Sequence, residues 1–351
     1  MYNSFRSLLF RLDPETAHHL TLQLMRIGGM QPINSILQKI YSAPTRPVQA
    51  FGLTFKNPVG LAAGYDKDGI AVRGLSALGF GHIEVGTVTL HPQPGNPKPR
   101  IFRLVKDEAV INRMGFPGKG AEYLSAQLSV IRKQRPRSTV LGLNLGKNKD
   151  TPLEEAASDY ITLMQTFTQF TQRTGTGASL ADYLTINISS PNTVGLRHLQ
   201  GREMLENLLG KVAAEKVRAT GQSPLRTIPI LVKLAPDLTD EELDDAIGVI
   251  LDSGMDGIIA TNTTLAREGL RSQHRGETGG VSGSPLRVRS EALLEKVVRR
   301  VDGRIPIISV GGIMSPEDAK RRLDMGATLI QIYTGLVYRG PGLVKSIINA
   351  L

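Results

Sequence analysis

The chain of 351 residues contains no cysteine and no tryptophan, and aromatics make up only 5% of it. Without cysteine there can be no disulfide, no thiolate metal site and no thiol nucleophile. That composition suits a reducing compartment. Histidine is scarce as well. His18 and His19 are adjacent, so they fall on different faces of a helix, and His82, His91, His198 and His274 are scattered. No metal-ligating spacing arises, and no metal is expected. The longest apolar runs fall short of the ~18 residues that a membrane span needs. The N-terminus lacks the basic, apolar, small-residue order of a secretory signal. A Walker motif is missing, and no G-x-G-x-x-G follows the first strand candidate.

What is present starts with charge. The formal net charge is +10. Such a balance suits nucleic acid, anionic lipid or anionic ligands. The basic residues are spread along the chain with no arginine-rich block, and aromatics are few, so a nucleic-acid partner is not expected.

Residues 1–45 differ from the rest, 46–351. "RLDPETAHHLTLQLMRIGGM" carries helix signals: Asp13 suits an N-cap, Pro14 the first helical position, and Gly28 and Gly29 the stop. Ala17, Leu20, Leu24 and Ile27 recur at helical spacing. Tyr2, Phe5, Leu9 and Leu12 form a similar stripe before it, with Arg6 and Arg11 nearby, and "INSILQKIY" repeats the theme. Such amphipathic helices either dock on a core or lie on a membrane surface. "SAPTRPVQ" reads as a linker.

From residue 50 onward, apolar runs alternate with helical patterns. The runs fall at 57–64, 82–89, 140–146, 183–189, 228–235, 257–263, 305–312 and 328–335. They are rich in Val, Ile and Leu without strict alternation, as parallel strands buried on both faces should be. Ser315 with Pro316, and Thr239 with its acidic first turn, mark two of the helix starts. Eight such units predict a (β/α)8 TIM barrel with an N-terminal amphipathic helical extension; a doubly wound open sheet is the alternative. The stretches 90–139 and 265–286 read as elaborated loops over the site face.

The C-terminal ends of the strands, where barrel enzymes keep their chemistry, carry small and amide residues. They are Gly64 and Lys67, Thr87, Asn144, Asn187 followed by "SSPN", Lys233, "TNT", Gly311-Gly312, and Tyr333 to Gly335. Each alone is ordinary turn chemistry. Their convergence on one face points to a site built mostly from neutral groups. Gly311-Gly312 allows close backbone approach, and the helix that follows offers N–H groups to a phosphate. Lys233 inside an apolar strand needs an anionic partner. It would suit either a reduced flavin or a Schiff base.

Nine motifs now point to a family. "GLAAGYDKDG" (60–69), "GTVTLHPQPGNPKPRIFRL" (86–104), "INRMGFPGKG" (111–120), "NISSPNTVGLR" (187–197), "VKLAPDL" (232–238), "IATNTT" (259–264), "TGGVSGSPL" (278–286), "SVGGI" (309–313) and "QIYTG" (331–335) occur in order over nearly the whole chain. With "LDPETAHHL" (12–20), the chain resembles the class 2, quinone-dependent dihydroorotate dehydrogenases. The resemblance implies FMN as cofactor, (S)-dihydroorotate as substrate, a membrane quinone as acceptor, and the fourth step of de novo pyrimidine synthesis. It implies FMN contacts at Ala63, Gly64, Thr87, Asn144, Asn187, Lys233, Thr261, Gly283, Gly312, Tyr333 and Thr334. Substrate contacts would come from Lys67, Asn112, Arg113, Met114, Gly115, Phe116, Asn187, Asn192, Asn262 and Thr263. Ser190 would be the catalytic base, where class 1 enzymes use a cysteine. Residues 1–45 would form a membrane-associating, quinone-access segment and 46–351 the catalytic barrel. The protein would be a monomer, peripheral on the cytoplasmic side of the cell membrane. Tyr65 stands where an apolar residue is usual, Leu90-His91 replaces a more common pair, Thr334 replaces a frequent serine, and 171–180 reads as a surface insertion.

Overall fold

A computed structural model describes residues 2–134, 139–168, 179–221 and 228–351. Most of the expected insertion at 171–180 lies outside the described residues. Eight parallel strands close into a barrel: β1 (Val59–Leu61), β2 (His82–Val88), β3 (Val140–Leu145), β4 (Tyr183–Asn187), β5 (Ile230–Leu234), β6 (Gly257–Ala260), β7 (Ile307–Val310) and β8 (Leu329–Ile332). Each pairs with its sequence neighbours, and β8 returns to β1. All eight fall within the runs read from the sequence. Helices pack around the outside, and the main apolar core lies between them and the strands.

Local sequence explains the helix boundaries. Asp13 caps the helix Pro14–Gly28 by accepting from Thr16 N at 2.9 Å. Thr239 and Glu242 form a reciprocal capping box at the start of Asp240–Asp252. Ser315 caps Pro316–Asp324.

The barrel interior is layered. Its floor is apolar: Phe55, Leu231, Ile259, Ile308 and Leu329 meet there. Glycines make room for two rings just above. Gly60 pairs with His82 and Gly142 with Tyr183, and a Cβ on either glycine would overlap the neighbouring ring. His82 sits edge-on to Phe55 and Tyr183, with ring centroids 5.4 and 6.4 Å away. Next comes a polar layer of Glu84, Asn144, Lys233 and Gln331, all buried. Above that layer the barrel opens.

Two expectations need correction. The "SAPTRPVQ" linker ends in a strand, because Val48–Ala50 pairs with Leu53–Phe55 and closes the barrel floor. Phe51 and Gly52 turn that hairpin with positive φ. The stretches 90–139 and 265–286 are more than loops. Ile101–Leu104, Ala109–Asn112 and Gly280–Gly283 form an antiparallel sheet across the site face. Two of its strands come from one stretch and the third from the other, a pairing that local periodicity cannot show.

Three helices precede the barrel: α1 (Tyr2–Leu9), α2 (Pro14–Gly28) and α3 (Ile33–Ile40). The Glu15 carboxylate on α2 meets Arg100 at 2.7 Å, and the Tyr2 hydroxyl donates to Val337 O at 2.6 Å. Ala17, Leu22 and Leu9 are buried, but Leu20, Leu24 and Ile27 remain 40–50% exposed. The apolar stripe of α2 is therefore only partly covered by the barrel.

Candidate active site

The strand ends surround a cavity of about 590 Å³. Lys233 projects into it from β5. Burial holds its ammonium below the usual lysine range, and the Glu84 carboxylate opposes that shift. Among the described residues nothing hydrogen-bonds or ion-pairs with its Nζ. A buried cation without a hydrogen-bond or ion-pair partner is costly, so the site is suited to an anionic or electron-rich group.

Asn187 ends β4 at the centre of an amide network. Its Nδ2 donates to Thr87 Oγ1 and to Asn144 Oδ1, both at 2.9 Å. Its Oδ1 accepts from Ser189 Oγ at 3.0 Å and from Asn262 Nδ2 at 3.4 Å. Ser189 is thereby committed to the network. Ser190 is not: among the described residues its Oγ accepts only the main-chain N–H of Asn192, at 3.2 Å. Ser190 lines the cavity and Ser189 does not. Asn192 Nδ2 donates to Asn112 Oδ1 at 3.0 Å, which links the loop after β4 to the antiparallel sheet. Asn96 ties both loops by donating to Arg113 O and Asn192 O, each at 3.0 Å.

Lys67 donates to Gly64 O at 2.7 Å. Burial and the nearby Arg100 push its pKa down to about 8. It lies at the same cavity with Asn112, Met114, Gly115, Phe116, Asn192, Asn262 and Thr263. Ala63, Gly64, Thr87, Thr261, Gly283, Gly312, Tyr333 and Thr334 line the cavity as well. Two of the residues named from the sequence do not. Asn144 is fully buried behind Thr87 and Asn187. Arg113 turns outward, pairing with Glu277 at 2.6 Å and covering the Phe102 ring at 4.6 Å.

Gly311 and Gly312 both have positive φ, and a Cβ on Gly312 would collide with the Arg287 main chain. The backbone can turn at the cavity only with glycine there. Buried Arg322 holds that turn by donating to Gly311 O at 2.8 Å. The expected use of the next helix is corrected. Its N-terminus is already served by Ser315 Oγ, 3.2 Å from Asp318 N, and by Asp318 Oδ2, 3.0 Å from Met314 N. Glu317 and Asp318 add negative charge there. The Gly311-Gly312 turn and the Tyr333–Thr334 end of β8 line the cavity and are where a phosphate could be held.

The same cavity continues past Tyr65 and Tyr333 to α1 and α2. Its far end is lined by Tyr2, Phe5, Leu9, Ala17, His18 and Leu24. The Tyr65 ring packs edge-on against His18 and Tyr333, at 5.0 and 5.4 Å between centroids. Burial, with the Lys67 charge, lowers the His18 pKa to about 3, so it is neutral.

Residues 47–351 match the family model described as "Dihydroorotate dehydrogenase". The chain belongs to the dihydroorotate dehydrogenase family. Curated relatives named dihydroorotate dehydrogenase (quinone) match over its full length. The protein of Halorhodospira halophila is 47% identical over 100% of this chain and 97% of its own. That of Azotobacter vinelandii is 45% identical over 100% and 96%. The ligand-free DHODH of Eimeria tenella is similar in structure, with a TM-score of 0.83 and 40% identity over 96% of this chain and 94% of its own. These matches put the chain in the quinone-dependent class and agree with the barrel read from its strands.

Sequence reading missed three residues that organise this site. Glu84 accepts from Asn144 Nδ2 at 2.7 Å, and Gln331 Nε2 donates to it at 2.8 Å. Both stand in apolar strands, "HIEVG" and "LIQIY", and so carried the same signal as Lys233. Arg197 braces the loops by donating to Ser189 O at 3.1 Å, Thr263 O at 2.8 Å and Asp237 at 2.8 Å. It ends the "NISSPNTVGLR" motif, but nothing in that motif shows which partners it braces.

The donor set suits a flavin. Among the described residues, Lys233 offers a cation without a hydrogen-bond or ion-pair partner, and Gln331 Oε1 is a buried acceptor without a hydrogen-bond partner in the cavity wall. A ring edge with both acceptors and a donor would satisfy each of them.

Proposed function

We propose that this chain oxidises (S)-dihydroorotate to orotate with FMN and passes the electrons to a membrane quinone, the fourth step of pyrimidine synthesis. One observation carries the reading. A single cavity joins a cation-and-amide chamber in the barrel to an apolar end under α1 and α2. A polar substrate and a lipid-soluble acceptor can then use the two ends of one site.

FMN, when bound, supplies a two-electron acceptor that can be emptied by quinone. Ala63, Gly64, Thr87, Asn187, Lys233, Thr261, Gly283, Gly312, Tyr333 and Thr334 would hold it, with Asn144 acting from behind Thr87 and Asn187. The Lys233 ammonium favours extra negative charge beside it. Lys67 would meet an anionic oxygen of the substrate. Asn112, Asn187, Asn192 and Asn262 bring amide groups to the cavity wall for a ring of amide groups, and among the described residues Asn192 Oδ1 is a buried acceptor without a partner. Thr263 and the loop Met114 to Phe116 complete the enclosure. Ser190 would take the C5 proton, because its hydroxyl alone in the "SSPN" turn faces the cavity without a side-chain partner. Thr193 Oγ1, buried and without a partner, is a hydroxyl for relaying it.

Residues 1–45 would be the membrane foot and 46–351 the catalytic barrel. No helix among the described residues is long and apolar enough to cross a membrane. Instead, large apolar side chains are left exposed on α1–α3, which suits peripheral attachment. The test is the visible spectrum of the purified protein. A yellow protein that bleaches on anaerobic dihydroorotate, and recolours with quinone but not with fumarate or NAD, is expected. A colourless protein, or no bleaching, overturns the reading.

A further inference from the structure

Beneath the cavity, four side chains are arranged so that each hydrogen bond dictates the next. Glu84 is fully buried, with no cation of the described residues within ion-pair distance. Three neutral donors converge on its carboxylate: Asn144 Nδ2 at 2.7 Å, Gln331 Nε2 at 2.8 Å and the Tyr183 hydroxyl at 3.2 Å. Burial, with the Glu84 charge, pushes the Tyr183 pKa far up, so that hydroxyl keeps its proton and donates. A carboxylate on which three donors converge is used as an acceptor throughout. Asn144 must therefore show Glu84 its NH2 group and turn its Oδ1 the other way. That oxygen accepts from the Thr87 hydroxyl and from Asn187 Nδ2. Asn187 must in turn aim its own Oδ1 toward Ser189 and Asn262. Asn262 Nδ2 donates to Ser189 Oγ at 3.0 Å, and its Oδ1 accepts the Thr263 N–H at 2.8 Å.

An amide has two nearly isosteric orientations, and only its partners choose between them. We propose that Glu84 is a positioning residue. Its carboxylate sets the donor–acceptor sense of Asn144, and through it that of Asn187 and Asn262, the two amides of the relay that line the cavity. Glu84 is fully buried and does not line the cavity, so it would act through the asparagines. The inference rests on the dihydroorotate reading above and deepens it. A glutamine at position 84 could offer its own NH2 to Asn144 Oδ1. Asn144 would then reverse, its NH2 would meet the Asn187 NH2, and the whole chain would have to invert or leave donors unpaired.

The test uses full-length holoenzyme. Orotate binding is read from the shift it causes in the flavin spectrum, and flavin reduction by dihydroorotate is followed anaerobically. Glu84→Gln should retain FMN, bind orotate at least tenfold more weakly and be reduced at least tenfold more slowly. Reoxidation by quinone should change less than twofold. The decisive variant is the exchange Glu84→Gln with Asn144→Asp. It puts the acceptor-only group at position 144 and lets the new amide at position 84 donate to it, so every donor and acceptor sense beyond it is restored. The exchange should recover orotate affinity to within about threefold of the parent. If Glu84→Gln alone fails to fold, recovery of folding and binding by the exchange supports the proposal equally. Unchanged orotate binding in Glu84→Gln, or an exchange no better than Glu84→Gln, overturns it. A parent enzyme that dihydroorotate cannot reduce would overturn the functional reading instead, a result distinct from either.

Discussion

Lys67 should give the enzyme an alkaline limit. Its ammonium is buried beside Arg100, and its pKa is pushed down from 10.5 to about 8. In the ligand-free site roughly 90% of Lys67 is then charged at pH 7 and roughly 10% at pH 9. If the ammonium meets an anionic oxygen of dihydroorotate, kcat/KM for that substrate should fall about tenfold per pH unit above pH 8, since kcat/KM reports groups of the free enzyme. A bound anion favours the ammonium and raises its pKa again, so kcat should hold to higher pH. Stability should move the other way. The folded value lies below the unfolded one, so the folded protein binds fewer protons between about pH 8 and 10.5 and gains stability across that window. The assay is initial-rate kinetics with excess quinone from pH 6 to 10, on the parent and on Lys67→Arg. A guanidinium stays charged throughout, so the variant should lose the limb near pH 8 even if its KM is worse. An unchanged limb in Lys67→Arg would refute this role for Lys67.

Other consequences follow from the same geometry. Ser190→Ala should keep FMN while flavin reduction by dihydroorotate slows by about 10²–10⁴, the usual worth of a general base; a loss under tenfold in stopped-flow reduction would remove Ser190 as base. Deleting residues 1–40 should cut quinone turnover far more than the reductive half-reaction, and equal losses in both would sink the foot assignment. Gly60→Ala should lower the thermal midpoint, because the new methyl meets a His82 ring already held between Phe55 and Tyr183. Overpacking of that kind costs about 1–3 kcal/mol, and calorimetry showing an unchanged midpoint would contradict the layered floor.

The barrel was legible because its signal is local and repeated. Each strand is a short Val/Ile/Leu run, and some helix starts carry their own side-chain cap, as at Asp13, Thr239 and Ser315. Lys233 was legible for a related reason, since a charge in an apolar strand breaks the pattern. Glu84 and Gln331 break it in the same way, yet what they do depends on partners from other strands. Asn144 showed the limit of reading strand ends. Its position at the end of β3 suggested a ligand contact, but its side chain lies one layer down and acts through Thr87 and Asn187. Arg113 lies in a motif whose neighbours line the cavity, while its own long side chain reaches outward to Glu277. Motif membership places a backbone; the direction of a side chain depends on packing. The antiparallel sheet over the site joins residues about 170 positions apart, and no local window contains that information.

The N-terminal helices show what periodicity leaves undecided. A 3.6-residue stripe says that a helix has an apolar face, and nothing about what covers it. Here the face divides. Leu9, Ala17 and Leu22 pack inward, while Phe5, Leu8, Leu12, Leu20, Leu24, Ile27, Met30, Ile33, Ile36 and Ile40 stay at least 39% exposed. Those are ten of the sixteen large exposed apolar side chains among the described residues, gathered in a ninth of the chain. Surface leucines scattered singly need no explanation, but a cluster of this kind does. At roughly 1 kcal/mol for each half-exposed side chain, covering all ten with acyl chains would contribute on the order of 10 kcal/mol. The same helices wall the far end of the active-site cavity. On the proposed function, a surface that held to lipid would also open the route by which a lipid-soluble acceptor could reach Tyr65 and Tyr333. Attachment and acceptor choice would then be two consequences of one set of exposed side chains.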